Sequence, residues 1–480
     1  MSVRLVMSAA AGYALVGALE RSLSLVIMPI TTRLFAPIEF SQLIAINNFT
    51  SLLNLTVGLF FVRGLPALLA AQDDEWGQRD AATTVFAATT VLGVFIISLG
   101  WWVAPLLGAF LNQPPTFPGL MRLAVCAIVM LLLGQSLNAT ARSLEHHKAA
   151  VTAMFTAFLV QAGSVFSLLL IFREGLASIY LAQIAGAVTM FAVLFMSHHH
   201  WISGRPKRSQ LAKSALLSSQ ILSLNIGALV ILNSAGLILN WAEQPREAAL
   251  FGVATGAASV GMIGSVAFNG AWTPYVLRRA KDPTLPDTAR RTFTLFSVAF
   301  LVAGAMGALF AHEVFSVLVG DAFLHAYRLV PPLIGCYALF AFANCFGQGI
   351  LLRDNPHKFA WIGLATAAVF LLVAVPAVHS FGAFGITLAM ACSFSVMIAC
   401  MQVAAHVALP IGYPWGRHAI LWGVASIPVG LAAYLPMGWS TVAVKLAVLA
   451  GLVAVAVVAG PVDIGALVRT IRPRAGVGTS

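Results

Sequence analysis

Charge is what this 480-residue chain most lacks: Asp, Glu, Lys and Arg together make up 9% of it. Soluble domains carry about 25%. Hydrophobic residues reach 60% and mean hydropathy is +0.92, which is more apolar surface than a water-soluble globule can bury, so a chain embedded in lipid is expected. Cysteine is also scarce. Cys126, Cys336, Cys345, Cys392 and Cys400 all fall inside apolar runs with no CxxC spacing, which argues against disulfides and zinc and for small packing residues. Phosphate-binding glycine loops, Walker motifs and nucleophile elbows are missing, so ATP hydrolysis is excluded and neither cofactor nor metal is expected.

What is present is a series of apolar runs near the roughly 20 residues that a spanning helix needs. They lie at 8–30, 41–62, 82–110, 119–139, 149–172, 175–196, 213–240, 248–272, 292–312, 327–350, 357–378, 382–408, 417–436 and 441–460. The expected fold is all-α, a polytopic membrane protein of about fourteen transmembrane helices. The first run is too long for a signal-peptide core and is expected to be retained as a helix.

The net charge of +11 is explained by position. Most lysines and arginines fall in alternate loops, among them Arg79, Arg142, Lys148, Arg205, Lys207, Arg208, Lys213, Arg290, Arg353 and Arg469. This asymmetry is the positive-inside pattern. It places both termini in the cytoplasm and leaves no need for a nucleic-acid partner; a monomer is expected.

A repeat runs through the chain. "APIEF" (Pro37, Glu39) matches "QPREA" (Pro245, Glu247), "FFVRGLP" matches "FNGAWTP", and His147–Lys148 matches His357–Lys358. Pro37/Pro66 and Pro245/Pro274 are each 29 apart, and the offset is 208 to 210 throughout. Six helices separate equivalents, so the halves have one orientation, which implies two bundles about an axis along the membrane normal with a substrate path between them. The expected division is a six-helix lobe at 1–196, a basic linker at 197–212, a second six-helix lobe at 213–408, and two further helices with a tail at 409–480.

Polar residues inside lipid should face protein or water. On the first helix Glu20 lies on one face with Tyr13, Gly17 and Ser24; its neighbour Arg21 diverges by about 100°, so the two cannot pair well with each other. Ionised residues at a helix centre cost roughly 2.5–3.5 kcal/mol each unless water or partners offset this. Arg21 is therefore read as positive potential for an anionic substrate and Glu20 as an ion-coupling site. Asn47 and Asn54 share a face of the second helix. Gln135, Asn138 and Arg142 share a face of the fourth, answered in the repeat by Asn344 and Gln348. Ser218, Asn225, Asn233 and Asn240 form a stripe on the seventh. Single asparagines often do no more than bond helices together, at about 0.6–2 kcal/mol each, but stripes on equivalent helices point to a hydrated cavity. His198, His199 and His200, beside Trp201, fit an interfacial role better than a metal site.

These features resemble the oligosaccharide flippases of polysaccharide biosynthesis, the O-antigen translocase type within the multidrug/oligosaccharidyl-lipid/polysaccharide exporter superfamily. "TTRLFAPIEFS" is similar to that family's motif through Thr32, Arg33, Leu34, Pro37, Glu39 and Phe40, with Ser41 in place of a glycine. "ALFGVATGA" and "AWTPYVLRRAKD" resemble its second-half motifs. The resemblance implies a transporter and not an enzyme, working by alternating access. It moves an undecaprenyl-pyrophosphate-linked oligosaccharide from the cytoplasmic to the periplasmic leaflet of the bacterial inner membrane, coupled to an ion gradient. Arg21, Arg63 and Arg142 would meet the pyrophosphate, the asparagines and glutamines the sugars, and membrane lipid the prenyl tail. A polysaccharide polymerase and export machinery are the implied partners. Cation-coupled drug exporters, lipid II flippases with several cavity arginines, and a membrane-embedded polymerase or glycosyltransferase are the alternatives; the last would need a catalytic constellation that is not evident.

Overall fold

The computed structural model describes residues 26–72, 74–172, 175–223, 226–262, 282–346, 356–408, 412–413 and 415–459, with isolated positions within 264–276. A helix occurs at each expected run that falls among them. The first run is represented by its C-terminal end and the residues just after it, 26–34, and Glu20 and Arg21 lie outside the described residues.

The helices in chain order are α1 (Pro37–Leu53), α2 (Leu65–Ala70), α3 (Glu75–Phe110), α4 (Phe117–Ser143), α5 (His147–Ser167), α6 (Ala177–His198), α7 (Arg208–Ser223), α8 (Ile226–Trp241) and α9 (Pro245–Ala258). After them come α10 (Leu285–Leu309), α11 (Ala311–Leu318), α12 (Val330–Phe346), α13 (Pro356–Ala408), α14 (Trp415–Ala433) and α15 (Trp439–Ala459). Among the described residues seven helices are long and apolar enough to cross a membrane, or eight if the bent pair around residues 59–61 is one span. The protein is a multi-pass membrane protein. At 53 residues α13 is too long for a single crossing: roughly 80 Å of helix against a hydrocarbon core of about 30 Å. Its backbone breaks at Gly382 (φ 54°, ψ −132°), which divides it into two helices. A positive φ with this ψ is a conformation that glycine tolerates and side-chain-bearing residues avoid.

The chain forms two compact units. The first comprises Met1–Val253 with Asn355–Ser393, the second Ala254–Asp354 with Phe394–Ser480.

In the first unit α3 meets α4 along a stripe of small residues, Thr89, Gly93, Gly100, Ala104 and Gly108, all buried. A Cβ on Gly93 would sit 2.8 Å from Val129, and one on Gly100 2.9 Å from Val125. Lipid supplies no hydrophobic drive between helices, so this close van der Waals approach is what holds the pair. The α4–α6 contact is as tight: a Cβ on Gly134 would meet the Met190 methyl at 2.5 Å.

In the second unit an aromatic cluster joins α10, α12 and α14. Phe293 lies edge-on to Phe342, Tyr413 and His418, and Trp422 donates to Ser297 Oγ at 3.1 Å. The last helix is fixed by a charge. Lys445 is fully buried and donates to both carboxylate oxygens of Glu313 on α11, at 2.7 and 2.9 Å.

Candidate functional site

The second span is broken, and the sequence shows why. Past Leu53 the helix widens into a π-turn, Asn54–Gly58, where Leu59 N–H reaches back to Asn54 O at 2.8 Å. A short 3₁₀ turn, Val62–Gly64, follows, and Pro66 at the second position of α2 lacks the N–H that would continue the ladder. The bend across the break is 52°. Inside a membrane the freed backbone groups need partners. Helix α7 supplies them: Ser214 Oγ donates to Phe61 O at 2.9 Å and Ser218 Oγ accepts from Gly64 N–H at 2.8 Å. π-Turns and broken spans concentrate at functional sites in membrane proteins.

Beside the π-turn lies a cavity of about 380 Å³, enclosed by α1, α4, α5 and α6. Its polar wall is Asn47, Thr50 and Ser51 of α1, Asn54 at the start of the π-turn, Gln161 of α5 and Gln183 of α6; Ile128, Leu131, Phe158 and Met190 close the apolar side. The spacing of Asn47, Thr50, Ser51 and Asn54 puts all four on one face. The Tyr180 hydroxyl, 1% exposed, donates to Asn47 Oδ1 at 3.5 Å, and Asn54 Oδ1 is buried without a hydrogen-bond partner among the described residues. A Cβ on Gly186 would lie 2.9 Å from Gln161 Cβ, so the glycine lets α5 and α6 close over this wall. No ionisable side chain is found among the described lining residues. Amide and hydroxyl groups with no net charge suit a neutral, hydroxyl-rich ligand: each can both donate and accept.

The structure brings together Asn47 and Asn54 of the residues expected from sequence. The other expected residues among those described do not line this cavity. Asn138, buried, donates to Ala150 O at 3.4 Å and bonds α4 to α5. Asn233 donates to Leu229 O of its own helix at 2.8 Å. Gln135 Oε1 is buried without a partner among the described residues. Arg142 lies exposed in the last turn of α4. Arg63 sits half-buried in the 3₁₀ turn of the break, and Asn344 half-buried on α12. Asn225 and Gln348, like Glu20 and Arg21, lie outside the described residues. Gln161, Gln183 and Tyr180 are not among the residues the sequence singles out. The available signal was a single glutamine in each of two apolar helices.

His198 is buried; its Nε2 is 3.0 Å from His146 Nδ1 and its Nδ1 is 2.8 Å from Ser197 Oγ. No group of three or more potential metal ligands occurs among the described residues.

At the end of this unit opposite the basic loops, three turns are laced together. Asn112 Nδ2 donates to Glu243 at 3.0 Å, and Gln113 Nε2 to Asn240 Oδ1 at 3.0 Å. Gln244 Nε2 donates to Val378 O at 3.1 Å, and Glu247 accepts from Ala383 N–H at 3.3 Å. Residues 112–113 belong to the first expected repeat and 240–247 to the second.

A broken span, a polar cavity within a helical bundle and many apolar crossings define a polytopic membrane protein. The same fold occurs among solved structures, three of which illustrate it. The lipid II flippase MurJ in an inward closed conformation matches with a TM-score of 0.71 at 9% identity, over 93% of this chain and 98% of its own. An inward-facing multidrug resistance MATE family transporter of the MOP superfamily matches at 0.60 and 16% identity, over 83% and 94%. The Vibrio cholerae MATE transporter VcmN, in its bent form, matches at 0.60 and 12% identity, over 85% and 97%. No curated protein matches by sequence. The family model described as "Polysaccharide biosynthesis protein" matches residues 30–328, and the chain belongs to that family. Family and fold together agree with the expectation of a polytopic membrane protein of polysaccharide biosynthesis.

Proposed function

We propose that the chain is a flippase that carries an undecaprenyl-pyrophosphate-linked oligosaccharide from the cytoplasmic to the periplasmic leaflet of a bacterial inner membrane. The observation that carries this reading is the uncharged amide and hydroxyl wall of the α1–α4–α5–α6 cavity, taken with membership of a polysaccharide biosynthesis family. Asn47, Asn54, Gln161 and Gln183 bond sugar hydroxyls. Arg21, Arg63 and Arg142 supply positive potential to the pyrophosphate along its route, and the prenyl tail stays in lipid. The cycle is alternating access between the repeats at 1–196 and 213–408, coupled to an ion gradient through Glu20, with both termini in the cytoplasm.

A drug exporter handling cationic compounds needs a carboxylate where its ligand binds, and the described lining of this cavity has none. The test is cellular. Depleting the protein should accumulate lipid-linked oligosaccharide on the inner leaflet and stop polymer export, leaving dye susceptibility unchanged. Normal export with a gain in dye sensitivity contradicts the proposal and favours the exporter.

A further inference from the structure

A groove of about 530 Å³ runs along the first unit between α3, α7 and Phe61, lined by Thr84, Ala88, Val91, Phe95 and Leu211, with Lys207 and Arg208 at one end. We propose that it holds one anionic phospholipid of the leaflet on the basic side, acyl chain along α3 and phosphate against Lys207 and Arg208.

The dimensions fit one leaflet. Thr84 to Phe95 is 11 residues, so the lined stretch of α3 is roughly 16 Å long at 1.5 Å per residue, about half of a 30 Å hydrocarbon core. Its α3 lining, with Ala87 and Leu92 included, recurs at i, i+3, i+4, i+7, i+8 and i+11, one face of the helix. Val91 and Phe95 are 71% and 57% exposed, so the groove opens sideways, where lipid lies. The cations stand at one end only: Lys207 N–H donates to Thr84 Oγ1 at 2.9 Å, which fixes that end at the first lining residue of α3. Lys207 Nζ also reaches Asp80 at 2.6 Å and remains half exposed. Arg208 is exposed at the first residue of α7, where the positive end of the helix dipole adds to its charge. Arg205 and Lys213 are exposed nearby in the chain. Arg79, between Trp76 and Trp201 with ring centroids at 5.2 and 5.6 Å, marks the interfacial level of this end. An apolar channel with cations confined to its interfacial mouth is complementary to an anionic head on an acyl chain. Basic pockets between transmembrane helices bind such headgroups. The occupant would also brace α7, whose Ser214 and Ser218 hold the broken second span.

The test is native mass spectrometry of the full chain purified from vesicles containing equal phosphatidylglycerol and phosphatidylcholine. Each cation near the surface multiplies affinity for an anionic lipid about fivefold. With Lys207 already engaged by Asp80, K207Q/R208Q should lower phosphatidylglycerol retention roughly tenfold and leave phosphatidylcholine retention unchanged. Ala88→Trp, which fills the groove and keeps both charges, should lower retention of both lipids. Equal retention in wild type and both variants, in protein that stays folded by circular dichroism, overturns the proposal. Displacement of the lipid by polyprenyl phosphate at equimolar level overturns it in favour of the carrier, and displacement by millimolar inorganic phosphate overturns it in favour of a plain anion site. Retention of lipid is independent of any transport, so its outcome is separable from that of the flippase reading.

Discussion

Glu243 occupies a backbone position where glycine is the usual residue. It follows α8 with φ 59°, and its neighbour Gln244 N–H closes the helix end onto Leu239 O at 3.0 Å, the arrangement that favours glycine in the left-handed region. A side chain there costs about 1–2 kcal/mol. What it gains is a hydrogen bond from Asn112, itself at φ 49°. Glu243→Gly separates the two effects. Relief of the backbone strain acts wherever α8 is folded, whereas the lost bond acts only while the turns at 112 and 243 are together. Exposed to water, this bond contributes about 1 kcal/mol, the typical net value of a hydrogen bond. Thermal stability should therefore be unchanged or rise by up to about 1 kcal/mol, while opening at this end becomes about fivefold easier. In a background without native cysteines, Asn54→Cys reports on the cavity, and a membrane-impermeant maleimide supplied from the side bearing residue 243 should label it about fivefold faster in the variant. Lower stability with unchanged labelling refutes the reasoning: Glu243 would then serve the local fold and hold nothing shut.

Other outcomes follow from the same geometry. Glu313→Gln should destabilise far more than Lys445→Met, by about 3–5 kcal/mol, because the fully buried lysine loses its counter-charge while the 25%-exposed glutamate retains access to water; equal losses in denaturant titration contradict this. Gly100→Leu should drive α3 from α4 and cost about 1–3 kcal/mol or more, since even a Cβ meets Val125 at 2.9 Å; a melting temperature within error of wild type would refute the packing described. Ser218→Ala leaves Gly64 N–H buried and unpaired, a loss of about 1–3 kcal/mol; hydrogen exchange at Gly64 should accelerate, and unchanged protection would show the break held by something else.

Helix positions were legible because burial in lipid imposes a simple requirement of length and apolarity. Even the break at Gly382 falls at the edge of the gap expected between two runs. Ends were less legible. Helix α3 begins at Glu75, well before its apolar run, because its first turns stand beyond the hydrocarbon and are held by polar contacts such as Asp80 with Lys207. Likewise α7 starts at Arg208, inside the stretch expected to be a linker. Asn47 and Asn54 were legible from their spacing of seven. The partners of Asn138, Ser218 and Asn240 were not: a polar residue in an apolar helix announces a need for a partner but not which distant segment supplies it. Asn240 is served by Gln113, 127 residues away in sequence. Gln161 and Gln183 were missed because neither belongs to a stripe, and their convergence depends on Gly186 bringing α5 and α6 together.

The most direct measurement of the central claim is translocation itself. Purified protein in vesicles should move a fluorescent undecaprenyl-pyrophosphate oligosaccharide between leaflets, scored by loss of access to a membrane-impermeant quencher. Wild type should translocate in the presence of an imposed ion gradient, and Gln183→Leu, which keeps the fold but removes an amide from the cavity wall, should slow it at least severalfold. No translocation by folded wild-type protein, or an undiminished rate when Asn47, Asn54 and Gln183 are all replaced by leucine, would contradict the account.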